Sequence, residues 1–151
     1  MHECSLYRKL AGGKVKCTAC AHYCEVSPGF SGACGVRKNV GGKLFLLAYG
    51  SPVSVNVAPM EKKPLFHFLP GRRILSLGTL GCNFGCDFCQ NWDISQAMKR
   101  ARLEKGRELK EEEFFEETWP PDKLVDYCLE NGIPAVAFTY NEPSILHEYA
   151  V

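Results

Sequence analysis

A chain of 151 residues is the size of one ordinary domain and long enough to bury a core. Its 18 Lys and Arg against 17 Asp and Glu leave a formal charge of +1, with both signs dispersed, which argues against a basic face for nucleic acid and a polybasic membrane anchor. With no leader-like N-terminus and no apolar run of about 18 residues, a cytoplasmic chain is expected, in which clustered cysteines ligate metal rather than form bridges. There are nine cysteines.

The first cysteine group is Cys17-x2-Cys20-x3-Cys24-x9-Cys34, interleaved with His22 and broken by Pro28, Gly29, Gly32 and Gly35. Four thiols with almost no apolar periodicity predict a small metal-held lobe over residues 1–42. A closed zinc site would contribute folding free energy there, and an iron-sulfur cluster would pass electrons; the spacing admits both. Four cysteines already suffice, so His22 reads as a flanking residue, and Cys4 stands too near the terminus to assign.

After Gly41-Gly42 the texture changes to strands, beginning a second region, 43–151. Lys43 to Tyr49 is an apolar run, and Val53, Val55 and Val57 alternate with Ser54, Asn56 and Ala58, the period of a half-buried strand. Pro64 to Pro70 is apolar but bracketed by prolines, which predicts an edge strand or an extended connection with His67 as a satisfied, semi-buried histidine. Lys62 and Lys63 read as solvated hairpin residues.

Arg73 to Thr79 reads as a buried strand that runs into Gly81-Cys82-Asn83-Phe84-Gly85-Cys86-Asp87-Phe88-Cys89. A mononuclear zinc site closes with four ligands, so Cys82, Cys86 and Cys89 would need a distant Cys or His to complete one. On a [4Fe-4S] cluster three thiolates leave one iron open. A short helix or turn is expected over Gln90 to Gln96, then an exposed, charge-dense helical excursion from Lys99 to Thr118 with Leu103, Leu109, Phe114 and Phe115 as its large apolar residues.

Pro121 and Asp122 open a helix that presents Leu124, Val125, Cys128 and Leu129 on one face and stops at Gly132. Pro134 to Tyr140 reads as a buried parallel strand ending at Asn141-Glu142-Pro143, where a further helix begins. The order strand, cysteine loop, helix, strand, helix predicts parallel α/β structure, with functional residues at the carboxyl ends of strands. Glu142 there could bind a cationic ammonium or stabilise the first turn of the helix that follows.

The cysteine loop, with Phe88 immediately before its last thiol, resembles the signature of the radical S-adenosylmethionine (SAM) superfamily. Taken with Cys17 to Cys24, Gly32 to Arg37, Glu61 to Phe68, Cys89 to Trp92 and Tyr140 to Pro143, the chain resembles the radical SAM member of the AmmeMemoRadiSam system, a group similar to pyruvate formate-lyase activating enzymes. The resemblance implies the start of a partial (β/α) barrel behind the Cys-rich lobe and a β-hairpin region. It implies a [4Fe-4S] cluster on Cys82, Cys86 and Cys89 whose open iron chelates the methionine moiety of SAM, with Phe88 beside the adenine. Asn141 and Glu142 would meet the methionyl end, in the place of a Gly-Gly-Glu-like motif whose glycines are missing here.

Also implied are reductive cleavage of SAM to a 5'-deoxyadenosyl radical, an electron donor such as ferredoxin or flavodoxin, and hydrogen abstraction from a substrate, for which a glycyl residue of a partner protein is one candidate. The charged stretch from Lys99 is longer than the resemblance leads one to expect, and Val151 falls within a helix where such a barrel would barely have begun, so the N-terminal part of a longer enzyme is expected. The competing reading is a non-catalytic zinc or iron-sulfur module; a third is a chain with the right ligands and no activity.

Overall fold

The computed structural model describes residues 1–105, 115–116 and 118–151. Its strands form three separate three-stranded sheets. In the first, β1 (His2–Glu3) and β5 (Arg37–Val40) flank β6 (Lys43–Leu46), all antiparallel. In the second, β2 (Tyr7–Lys9) and β4 (Glu25–Val26) flank β3 (Val15–Cys17), again antiparallel.

The β5–β6 hairpin turns on Gly41-Gly42, and its base is fixed by Asn39, whose side chain is fully buried. Asn39 Nδ2 donates to Gly13 O (2.9 Å) and Val26 O (2.8 Å), and its Oδ1 accepts from Gly42 N–H (2.9 Å). One amide thus satisfies three backbone groups and ties the two small sheets together. The boundary expected after residue 42 falls at the tip of this hairpin. Across it, Val15, Val26 and Val36 share one core with Leu44, Leu46, Leu77, Ile145 and Leu146.

The third sheet has the order β7 (Ser54–Pro59), β8 (Arg73–Gly78), β9 (Val136–Ala137). The start of a partial (β/α) barrel that the resemblance implied is not found among the described residues. A barrel needs successive parallel strands paired along most of their length. Here β8 gives one side to β7, antiparallel from Ser54↔Gly78 to Pro59↔Arg73, while its parallel pairing with β9 is limited to Leu75↔Val136 and Ser76↔Ala137. The run from Pro134 to Tyr140, expected to be one strand, is therefore extended over two residues only.

Helices are short. α1 (Trp92–Ser95) and α2 (Ala97–Lys105) follow the second cysteine group, and Leu103 on α2 is exposed; Leu109 and Phe114 lie outside the described residues. α3 (Pro121–Glu130) carries Leu124 and Cys128 against Leu75, Ile133 and Val136, whereas Val125 and Leu129 face solvent. The apolar face is narrower than expected because residues four apart lie above one another and their neighbours lie about 100° round the axis. The 64–70 segment is a connection of turns, with Leu65, Phe66, Phe68 and Leu69 exposed and His67 exposed as well, not semi-buried. Among the described residues no helix is long and apolar enough to cross a membrane.

The chain ends in a 3₁₀ turn, Pro143–Leu146, and α4 (His147–Ala150). Both are held to β5 by a buried ion pair between Arg37 and Glu148, whose side chains are 2% and 4% exposed. Arg37 Nη1 and Nη2 both donate to the Glu148 carboxylate, Arg37 Nε donates to Ile145 O (3.1 Å), and Ser5 N–H donates to Glu148 Oε1 (3.0 Å). Burial works to raise the Glu148 carboxyl, but the Arg37 charge and these hydrogen bonds outweigh it and hold Glu148 below its ordinary value. The resulting stabilisation is present above the unfolded-state value, near 4.5, and is lost as pH falls through the depressed folded value. Glu148→Gln leaves a buried guanidinium without its counter-charge and is expected to cost about 3–5 kcal/mol in denaturant unfolding at pH 7. The variant should also lose part of the acid sensitivity that the parent chain shows below about pH 4.5.

Candidate functional site

The apolar strand β8 is buried from Ile74 onward, and burial continues through Thr79 and Gly81 to Asn83 before the chain emerges at Phe84. The three thiols of this loop therefore differ: Cys82 is buried, Cys89 half-buried and Cys86 exposed. Cys89 N–H donates to Cys86 O (3.2 Å), forming a turn, and Cys89 Sγ lies 3.5 Å from Ser95 Oγ at the end of α1. Lys99 Nζ (2.8 Å) and Gln96 Nε2 (3.0 Å) both donate to Phe84 O, anchoring the outward limb of the loop to the helices that follow. Phe88, 89% exposed, projects into solvent beside Cys89.

Asn141 holds the base of this loop. Its Nδ2 donates to Thr79 O (2.9 Å) and Gly81 O (2.8 Å), and its Oδ1 accepts from Thr79 N–H (3.0 Å). A primary amide has two N–H donors, and both are spent on the backbone. Asn141 thus acts as a clamp between the end of β8 and the turn after β9. Glu142 caps the 3₁₀ turn, accepting from Ser144 N–H (3.3 Å), which is the local stabilising role considered for it.

The first cysteine group lies directly behind the loop. Cys17, at the end of β3, and Cys34 are buried, and Cys20 and Cys24 are half-buried. All four line one small cavity of about 10 Å³, together with Arg37 and Ser144. Burial pushes the Cys17 and Cys34 thiols up, and it pushes Cys4 up to about 12. Among the described residues no group of three or more His, Cys, Asp or Glu side chains is placed to hold a metal ion. The thiols of each group supply soft donors suited to zinc or iron-sulfur chemistry.

Two contacts join the cysteine groups. His22 Nε2 lies 2.9 Å from Asn83 O; a carbonyl can only accept, so the proton is on Nε2. Gly81 packs so closely that a Cβ there would stand 2.5 Å from Cys34 O, and its φ of 86° is one that side chains disfavour. Between the groups opens a cleft of about 380 Å³ lined by Cys20, His22, Asn83, Phe84, Glu142 and Ser144. His22 is thus a structural bridge. The sequence alone leaves Cys4 unassigned and gives no role to Ser144 or to Arg37, which enters it only as the end of the Gly32 to Arg37 run.

Among known proteins, the chain is similar to an uncharacterized protein of Methanocaldococcus jannaschii, MJ0808, at 36% identity over 149 residues. The match takes in 99% of this chain and 41% of the archaeal protein, so the chain spans about two fifths of the length of the curated relative it matches. No protein-family model matches the chain. No solved structure matches it either.

Asn141→Asp should show whether the clamp holds the loop. It keeps the acceptor for Thr79 N–H but sets a carboxylate oxygen against two carbonyls, and each carbonyl left without a donor costs about 1–3 kcal/mol when buried. Faster amide hydrogen exchange at Thr79 and Cys82, with a lower unfolding midpoint, is the expected outcome. Unchanged exchange would mean that the loop is held by other contacts.

Proposed function

We propose that the chain carries the SAM-binding iron-sulfur centre of a radical SAM enzyme, with Cys82, Cys86 and Cys89 as the cluster ligands. The observation that supports this reading most is the Asn141 clamp. It draws the Asn-Glu-Pro turn against the base of the three-thiol loop, so that Glu142 and the loop residues Asn83 and Phe84 line one cleft. A carboxylate lining the same cleft as Asn83 and Phe84 of the three-thiol loop suits a cofactor that offers an amino group as hydrogen-bond donor at its metal-chelating end.

Each residue has a distinct task in this reading. Cys82, buried at the base, with half-buried Cys89 and exposed Cys86, would hold the cluster. Glu142 lies in the cleft with its carboxylate tethered by Ser144 N–H, a position from which it can accept from the methionyl ammonium. Phe88, exposed beside Cys89, offers an apolar face to a purine and would keep water off the centre once covered. Asn141 touches no cofactor and acts as a positioning residue. What a [4Fe-4S] cluster supplies when bound is one electron at low potential for the SAM sulfonium, yielding methionine and a 5'-deoxyadenosyl radical. A one-electron donor of the ferredoxin or flavodoxin class is needed to supply that electron, and a substrate hydrogen, such as that of a glycyl residue in a partner protein, would quench the radical.

Anaerobic purification and reconstitution test the assignment. The chain should take up about four irons and as many sulfides at this site, and Cys82→Ala, Cys86→Ala and Cys89→Ala should each lose the associated brown absorbance. Glu142→Gln should load the cluster normally yet bind SAM roughly 10- to 100-fold more weakly, the loss of one charge-assisted hydrogen bond. Unchanged iron content in all three cysteine variants would refute the ligand set, and a colourless zinc protein would favour the non-catalytic module instead.

A further inference from the structure

We propose that Lys63, Ser76 and Thr139 form a subsite for the carboxylate group of a small ligand, on the face of the third sheet opposite α3. The inference does not rest on the reading of the Cys82 loop. Side chains alternate along a strand, so Leu75 of β8 and Val136 of β9 pack toward α3 with Cys128, while Ile74, Ser76 and Gly78 lie on the other face. Ala137, paired with Ser76 in register, joins Ile74 against Met60 on that face. Thr139 follows Ala137 by two positions, and its Oγ1 accepts from Lys63 Nζ (2.9 Å).

Ser76 sits between two covers. Met60 closes over Ile74 on one side of it. Tyr140 closes over Gly78 on the other, where a Cβ would stand 2.7 Å from Tyr140 Cβ. The Lys63 side chain runs from the turn after Met60 to Thr139 and to the face of the Tyr140 ring, 5.5 Å from its centroid, and so crosses the Ser76 position. Ser76 is 1% exposed, and its Oγ has no hydrogen-bond partner. A buried hydroxyl without a partner is a cost to the fold, and an acceptor that enters here removes it.

The charge of that acceptor follows from its neighbours. Among the described residues no carboxylate pairs with Lys63, whose ammonium has three donors and spends one on Thr139. One uncompensated positive charge beside two hydroxyls matches a group with one negative charge and two acceptor oxygens, which is a carboxylate; a phosphate dianion brings more charge than the site offers. Thr139 is exposed and Lys63 half-buried, so both stand at the rim with Ser76 as the floor. The flexible lysine stem lets the ammonium turn from Thr139 to an entering anion. Tyr140 leads directly into Asn141 and Glu142, so a carboxylate held here lies at the carboxyl end of β9, on the turn that also brings Glu142 to the cleft.

NMR titration of the isotope-labelled full chain with sodium acetate tests the subsite, with sodium chloride at equal ionic strength as the control and inorganic phosphate as a second arm. Saturable amide shifts centred on Lys63, Ser76 and Thr139 are expected with acetate and not with chloride, and weaker binding with phosphate. Lys63→Met should weaken acetate binding roughly 10- to 100-fold, the loss of a hydrogen bond from a charged donor, and Lys63→Arg should restore part of it. Ser76→Ala should weaken binding roughly 3- to 10-fold while leaving the thermal unfolding midpoint unchanged or higher, because the unsatisfied hydroxyl is gone. A lower midpoint with unchanged acetate binding would make Ser76 a structural residue and overturn the proposal. So would shifts that do not saturate, shifts that survive Lys63→Met, or phosphate bound in preference to acetate. Should Lys63→Met fail to fold, Ser76→Ala and Thr139→Val decide: weaker acetate binding in the folded variants supports the subsite, and unchanged binding in both refutes it.

Discussion

The buried pair of Arg37 and Glu148 is the interaction on which the arrangement of this molecule depends. It spans 111 positions of sequence and fixes where the last eight residues lie. With Glu148 held, Ile145 O meets Arg37 Nε, Ser144 comes to the wall of the four-cysteine cavity, and Glu142 comes to the cleft. Asn141, one residue before, is then in reach of the strand end and clamps the base of the Cys82 loop. Three successive devices, an ion pair, a helix cap and an amide clamp, thus place two cysteine groups that are remote from this segment in sequence.

Among the described residues, magnitudes explain why this pair and not Lys16–Glu25 or Lys43–Glu3 has that role. Lys16–Glu25 and Lys43–Glu3 are half-exposed, and pairs of that kind contribute about 0–1 kcal/mol. Arg37 and Glu148 are out of water, so separating them leaves charges that nothing else neutralises. A buried pair is not by itself a strong source of net stability, since desolvation offsets most of the attraction. Its effect is selective: only the packing that brings these two side chains together avoids the penalty. The pair therefore specifies one docking of the C-terminal turn over many alternatives.

The two cysteine groups form one mechanical unit. Gly81 rests on Cys34 O, and His22, set between Cys20 and Cys24, reaches Asn83 O next to Cys82. Order in one group is thereby passed to the other through backbone contacts that tolerate little displacement. The stretch from Phe84 to Phe88 is exposed, and Lys99 and Gln96 hold it at Phe84 O.

Several features were legible without coordinates because they are set by neighbours a few residues apart. The segment with Val55 and Val57 forms β7, though its burial does not alternate and Val53 and Val55 are exposed; Pro121 opens α3, Cys128 is buried in its face, and the apolar run after Arg73 is the buried β8. Cysteine spacing likewise identified two sets of soft donors, a property of the residues themselves. The barrel that the resemblance implied does not hold, because an order of strand, helix and strand does not say how far strands pair. The antiparallel strand β7 takes one side of β8, and the parallel partner extends for two residues. The roles of Arg37 and Asn141 were equally hidden, and so was the burial of Cys4 beside Leu44. Each depends on a partner tens to more than a hundred positions away, and such partners are selected by which charges and amides would otherwise be buried unsatisfied, a condition that exists only once the chain has packed.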